Sequence, residues 1–268
     1  MVPELPEVET IRRQLAVRLP GRRILDAAAH PSAKFTDATE VVGARILGVD
    51  RRGKYLLLPT DDDRELVIHL GMTGFLSIEH PAAADARWRR ASWRLDDGST
   101  LALDDQRRFG RVAVVRRGDH HSLPTLAALG PEPLEEAFTP SGLHRSLRGG
   151  GQVVKTRLLG QRVVAGVGNI YADEALWRAG INPAARRVGP ARAADLHAAL
   201  VAVLAEAVEH GGTRLRDYRT LDGDTGAHQW HLDCYGRAGQ PCNRCGTTLR
   251  RRVLDGRGTT WCPVCQAR

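Results

Sequence analysis

Two groups of residues in this chain are suited to chemistry. They are Pro3, in the opening run Met1-Val2-Pro3-Glu4-Leu5-Pro6-Glu7, and a quartet of cysteines, Cys242, Cys245, Cys262 and Cys265. A proline freed of everything before it is a secondary amine, which can attack a sugar carbon and become a permanently charged iminium. Inside a chain the same nitrogen is an amide and cannot do this. The cysteines fall as two Cys-x-x-Cys pairs separated by sixteen residues, the spacing of a zinc ribbon with each pair on a tight turn at a hairpin end. Four thiolates close a tetrahedral shell with no position for water, so one zinc ion would hold the fold together and do no chemistry. A dithiol redox role is the alternative reading of the pairs. Cys234 lies outside the spacing and reads as a small buried residue.

These groups need elements to hold them. Pro6 to Ala16 puts Val8, Ile11 and Leu15 on one helical face, with Pro6 in the first turn and Glu7 and Glu9 complementing the helix N-terminus. From Ile24 to Val115 the pattern changes to strand-like runs at 44–49, 54–58, 66–70, 91–95, 100–103 and 111–115, punctuated by turns such as Asp96-Asp97-Gly98. An antiparallel sandwich or barrel is expected there. The acidic, proline-rich stretch from Gly130 to Glu136 marks a join between domains, after which helices are expected at 152–159, 169–179 and 193–209. In Gly166-Val167-Gly168-Asn169-Ile170-Tyr171, glycines and an asparagine open a helix, where backbone N–H groups and the helix dipole favour a phosphate. Between the cysteine pairs, Leu249-Arg250-Arg251-Arg252-Val253 and the tip Gly256-Arg257-Gly258-Thr259 make a basic hairpin suited to clasping phosphate.

Composition agrees with a polyanionic partner. The 268 residues carry a formal charge of +8, from 39 Lys plus Arg against 31 acids, and 42% are hydrophobic, which suits folded domains rather than disorder. The longest charge-poor apolar stretch, Leu196 to Val208, is interrupted by Glu206 and is too short to cross a bilayer. The opening residues lack a basic segment followed by an apolar one, so no secretory signal, a cytosolic setting and no membrane partner are expected.

Taken together, the Pro3-Glu4-Leu5-Pro6-Glu7-Val8-Glu9 start, Arg52-Gly53-Lys54-Tyr55, His69-Leu70-Gly71-Met72-Thr73-Gly74, Arg107-Arg108-Phe109-Gly110, the segment around Asn169, Tyr235-Gly236-Arg237 and the cysteine ribbon closely resemble formamidopyrimidine-DNA glycosylases over nearly the whole length. The resemblance implies an α+β chain. An N-terminal antiparallel β-sandwich with flanking helices (1–130) would carry catalysis, a helix-two-turns-helix domain (131–234) would bind DNA, and a zinc ribbon (235–268) would follow. It further implies a monomeric base excision repair enzyme. Such an enzyme removes oxidised purines from damaged duplex DNA and cleaves the strand by β,δ-elimination.

Carried over residue by residue, the resemblance makes Pro3 the nucleophile and Glu4 its acid/base partner, with Glu7 either supporting the amine or acting only as a first-turn acid. Extruding a nucleotide leaves a hole in the duplex, which Met72 and Arg107 would fill while Phe109 wedges between bases, with Arg108 also on the DNA. Lys54 would contact the phosphate beside the lesion. Lys155, Asn169 and Arg257 would complete the phosphate grip, Arg257 also donating a proton during elimination. The segment from Thr213 through Tyr218 to about Gln229 corresponds to a cover over the extruded base, and Gly226-Ala227-His228 departs from the family's usual aromatic pair after glycine.

Val2 also departs from the family pattern, because removal of Met1 alone would leave a valine ahead of Pro3. Translation from the Val2 codon, decoded as methionine, would restore the proline end. Three other readings compete: an endonuclease VIII-like enzyme acting on oxidised pyrimidines, a non-catalytic lesion-binding protein with Val2 blocking Pro3, and a generic zinc-ribbon regulator. Leu5, Met72 and the Arg107 to Phe109 run favour the purine enzyme.

Overall fold

A computed structural model describes residues 3–80, 87–149, 151–213, 221 and 226–267. The chain separates into two compact units, one of residues 1–127 with 211–227 and the other of 128–210 with 228–268.

The first unit begins with helix α1 (Leu5–Ala16), whose Leu5, Val8, Ile11 and Leu15 are all buried. Two antiparallel four-stranded sheets follow. One has the order β1 (Ile24–Ala29), β6 (Arg89–Leu95), β7 (Thr100–Asp105), β5 (Gly74–Glu79), and the other β2 (Asp50–Arg52), β3 (Tyr55–Pro59), β4 (Arg64–His69), β8 (Arg111–Arg116). Leu56, Leu58, Leu66, Ile68, Trp93, Leu101 and Leu103 are fully buried in the sandwich core. The 3₁₀ turn at Thr36–Val41 packs against β1, β4 and β8, and its Ala38 carbonyl accepts the Trp93 indole N–H at 2.8 Å. A short helix, α2 (Pro124–Ala127), ends the continuous part of the unit.

Residues 44–49 differ from expectation. They make only single bridges, Arg23 with Arg45 and Ile46 with Thr60. Gly43, at φ +88°, turns the chain there, so the apolar residues anchor a crossing loop. Strands β1 and β5 carry mixed exposed and buried positions, which hid their period from the sequence.

The second unit contains α3 (Pro140–Leu147), α4 (Val154–Leu159), α5 (Asn169–Arg178) and α6 (Pro190–Glu209), followed by the hairpin β9 (Arg250–Leu254) and β10 (Arg257–Trp261). Helix α6 packs on α3 and α5, and α5 also packs on α4 and β10. Thr139 caps α3 by accepting the Gly142 N–H at 3.1 Å. Among the described residues no helix is long and apolar enough to cross a membrane.

Candidate functional site

In the first unit, Pro3 and Glu4 sit at the head of α1, both buried. Glu4 and Glu7 form a reciprocal capping box, in which the Glu7 carboxylate accepts the Glu4 N–H at 2.8 Å while the Glu4 carboxylate faces the Glu7 N–H. The other Glu7 oxygen accepts the Thr213 N–H at 2.7 Å. Glu7 is therefore more than a first-turn acid, since it ties the start of the chain to the stem of the 213–226 segment. That stem admits only glycine. Gly212, at φ +84°, has no room for a Cβ, which would lie 2.9 Å from a Glu7 oxygen, and a Cβ on Gly226 would lie 2.1 Å from the Gly212 carbonyl oxygen. Thr213 is buried, and Tyr218 lies outside the described residues.

Lys54 occupies the two-residue turn Gly53-Lys54 between β2 and β3. Glu9, from sequence a helix-terminus acid, binds this hairpin to α1 by accepting from Arg51 at 3.0 Å as well as from Arg12 and Arg13. Burial pushes the Glu9 carboxyl up, but the Arg12 and Arg51 guanidinium groups overcome it and hold its pKa below the usual range. His69, whose ring lies tilted at 49° against Tyr55 with centroids 4.6 Å apart, has its pKa driven down to about 4 by burial, with the charges of Lys54 and Arg111 adding to the effect. As a neutral ring it accepts the Gly71 N–H at 3.1 Å.

Gly71 opens the turn that presents Met72. A Cβ there would lie 2.3 Å from the Phe109 carbonyl carbon, so the Met72 turn and the Arg107–Gly110 loop touch backbone to backbone. Phe109 is 47% exposed, an unusual position for a large aromatic, and the Arg107 guanidinium lies 4.7 Å from its ring centroid. Arg108 has φ +56°, which turns the loop tip.

In the second unit, Asn169 is the first residue of α5, and its Nδ2 donates to the Gly258 carbonyl at 3.1 Å. Its Oδ1 is shielded from solvent and has no hydrogen-bond partner among the described residues. Arg257 follows the turn Asp255-Gly256, both residues at positive φ, the dihedral pattern of a tight antiparallel hairpin. Thr156 on α4 bonds to Asp255 and fixes the turn.

Lys155 corrects the sequence reading, because it is not a surface cation aimed at phosphate. Its side chain is 1% exposed, its ammonium lies 2.7 Å from the buried Asp173 carboxylate, and it donates to Gly258 O at 3.0 Å and Thr259 Oγ1 at 2.9 Å. Lys155 therefore holds the ribbon to α4 and α5, and it shares the Gly258 carbonyl with Asn169. Glu174, also missed from sequence, accepts the N–H groups of Asp233, Cys234 and Tyr235 and so clamps the chain entering the ribbon. Burial raises its pKa despite those three donors.

The four cysteine sulfurs lie within 4.8 Å of one another, with Cys245–Cys262 at 3.5 Å and Cys242–Cys265 at 4.0 Å. Four thiolates at ~2.3 Å from a tetrahedral zinc lie roughly 3.8 Å apart, so the quartet fits one ion. The Trp177 indole N–H points at Cys242 Sγ from 3.3 Å and would orient that ligand. Cys234 is buried, donates to the Thr260 carbonyl, and has its thiol pKa pushed up by burial. His228, standing in the place of an aromatic, is buried among the rings of Tyr171, His210 and His231, and burial lowers its pKa to about 4.

Known families match three successive stretches of the chain. Residues 2–112 match the formamidopyrimidine-DNA glycosylase N-terminal domain, 129–219 the formamidopyrimidine-DNA glycosylase H2TH domain, and 239–268 the zinc finger found in FPG and IleRS. The chain is 48% identical to formamidopyrimidine-DNA glycosylase of Thermus thermophilus, covering 99% of this chain and 98% of that protein. It is 44% identical to the Deinococcus radiodurans enzyme, covering 99% and 97%. The crystal structure of MutM (Fpg) from Thermus thermophilus superposes with a TM-score of 0.92 at 47% identity, covering 99% of both chains. Lactococcus lactis Fpg bound to abasic-site DNA gives 0.90 at 35% identity, covering 99% of this chain and all of that one. A four-cysteine zinc ribbon, an H2TH domain and a matching N-terminal domain over the full length place the chain in the formamidopyrimidine-DNA glycosylase family, as a zinc-binding DNA-repair glycosylase.

Proposed function

We propose that the chain is a bifunctional glycosylase and AP lyase that removes oxidised purines, 8-oxoguanine and formamidopyrimidines, from duplex DNA, with the Pro3 amine as nucleophile. The observation that carries this reading is the buried Pro3-Glu4 pair at the head of α1, with Glu4 fixed by Glu7 and Glu7 fixed to the Thr213 stem. A terminal amine has a pKa near ~8, which leaves a usable neutral fraction at physiological pH. The Pro3 nitrogen lone pair forms a bond to C1′, the glycosidic bond breaks, and the base leaves with that electron pair and takes up a proton. Glu4 protonates the sugar ring oxygen, opening the ring, so that an iminium joins Pro3 to C1′. The iminium withdraws electrons from C2′. Loss of a C2′ proton expels the 3′ phosphate, and a second elimination expels the 5′ phosphate.

Lys54, Asn169 and Arg257 hold phosphates in this reading, Arg257 also serving as a proton donor in the elimination. Met72, Arg107, Arg108 and Phe109 act on the duplex, and Thr213 and Tyr218 belong to the cover over the base. Lys155 acts indirectly, by seating the ribbon tip. The +8 charge supports DNA as the partner, and in this reading the chain works as a monomer in the cytosol or nucleoid.

Borohydride reduction in the presence of an 8-oxoguanine·cytosine duplex, followed by peptide mapping, tests the reading. The expected result is one covalent adduct on Pro3 in protein whose mature N-terminus is Pro3, as given by initiation at the Val2 codon and methionine removal. Protein expressed from its native gene that retains valine ahead of Pro3, or that binds the duplex without trapping, overturns it. A parallel thymine glycol duplex separates purine from pyrimidine preference.

A further inference from the structure

The side chains assigned to replace the extruded base come from two loops, and a single buried carboxylate joins them. Asp105, the last residue of β7, is fully buried. Its Oδ1 accepts the Thr73 hydroxyl and the Arg107 N–H, the latter at 3.2 Å, and its Oδ2 accepts the Gly110 N–H at 2.7 Å. The Arg107 N–H is shared with Thr73 Oγ1, also at 3.2 Å. One side chain thus fixes both ends of the Arg107–Gly110 loop and the residue beside Met72. Arg90 donates its Nε to the Asp105 backbone carbonyl at 2.8 Å, which leaves these neutral donors on the carboxylate oxygens. A buried carboxylate of this kind depends on donors held in place.

The outer side of the loop is fixed as well. Lys34 Nζ donates to the carbonyl of Arg108 at 2.8 Å, and the backbone carbonyl of Lys34 accepts the Val112 N–H at 2.8 Å. A positive φ is uncommon for a residue other than glycine, and this anchor holds Arg108 in it. Neither Asp105 nor Lys34 carries a role in the sequence reading.

We propose that Asp105, through Thr73, is the positioning residue that makes Met72, Arg107 and Phe109 one preformed element entering the duplex together. The proposal deepens the function assigned above and rests on it. Three side chains inserted from independent loops would each be ordered at the moment of base extrusion, adding to the cost of lost stacking. A prebuilt element has that ordering done on folding.

Zinc-loaded full-length protein decides this with two substrates, an 8-oxoguanine·cytosine duplex at saturating enzyme and a single-stranded oligonucleotide with one abasic site, which has no partner base to replace. Asp105→Asn leaves one acceptor oxygen and turns an amide against a donor, Thr73→Val removes the bridging hydroxyl, and Thr73→Ser keeps it. We expect Asp105→Asn and Thr73→Val to slow base excision from the duplex about tenfold or more, with Thr73→Ser within about twofold of wild type. Borohydride trapping on the single strand should stay within about twofold for all three. If Asp105→Asn does not fold, the Thr73 pair decides alone. Equal losses on both substrates, or undiminished duplex excision in Thr73→Val, overturn the proposal. A wild-type protein that neither excises nor traps overturns the assigned function instead, before any variant is compared.

Discussion

The Glu9 carboxylate and the Arg51 guanidinium meet at 3.0 Å, with both side chains nearly buried, and they join helix α1 to the hairpin of β2 and β3. The helix carries Pro3 and Glu4, and the hairpin carries Lys54. This ion pair therefore ties the element beside the proposed nucleophile to the one that carries the proposed phosphate contact.

Replacing Glu9 by Gln removes the carboxylate charge that Arg12 and Arg51 share and should cost about 1.5–3 kcal/mol, the range for hydrogen bonds to charged groups. Because the folded-state pKa of Glu9 lies below its ordinary value of 4.5, its contribution is present above pH 4.5 and lost as the pH falls through the folded-state value. Urea denaturation at pH 7 and pH 3 should show a large difference between wild type and variant at the first pH and a smaller one at the second.

The buried Lys155–Asp173 pair makes a prediction about salt. Lys155→Ala leaves a carboxylate buried without its cation and should destabilise the second unit by roughly 3–5 kcal/mol. Where the variant remains folded at low temperature, the salt dependence of its DNA binding should keep the wild-type slope, because Lys155 faces Gly258 and Thr259. Arg257→Ala should instead leave stability nearly unchanged and reduce the slope of log K against log salt by about one. Titrations at several salt concentrations distinguish the two.

Zinc removal should act on structure before chemistry. Chelation should unfold the ribbon, expose its four ligand thiols, and weaken duplex binding. Trp177→Phe removes the N–H aimed at Cys242 and should lower zinc affinity by about tenfold. Competition against a chromogenic chelator measures this directly.

His69 should make the first unit sensitive to acid. Its pKa is depressed to about 4 from 6.5, so between those values the unfolded chain takes up a proton that the folded chain refuses. Stability contributed by the neutral ring is complete above pH 6.5 and is lost as the pH falls toward 4. Within that window His69→Gln should flatten the pH dependence of unfolding by at most one proton, or about 1.4 kcal/mol per pH unit. An unchanged slope would show that His69 titrates normally.

What the sequence by itself determined were features with a local cause. The cysteine spacing specified a zinc quartet, the apolar period from Val8 to Leu15 specified α1, and the glycine-rich run before Asn169 specified a helix start, because metal shells, helical faces and positive φ angles depend on residues close in the chain. Only the tertiary structure decided which charges are partners. Lys155 and Asp173 are separated in sequence yet lie 2.7 Å apart in the interior, Glu9 reaches Arg51 in another element, and Asp105 joins Thr73 to Gly110. A lysine or an aspartate has the same letter on a solvated surface and in a buried pair. Its role follows from the groups that replace water around it, which are chosen by packing between distant segments.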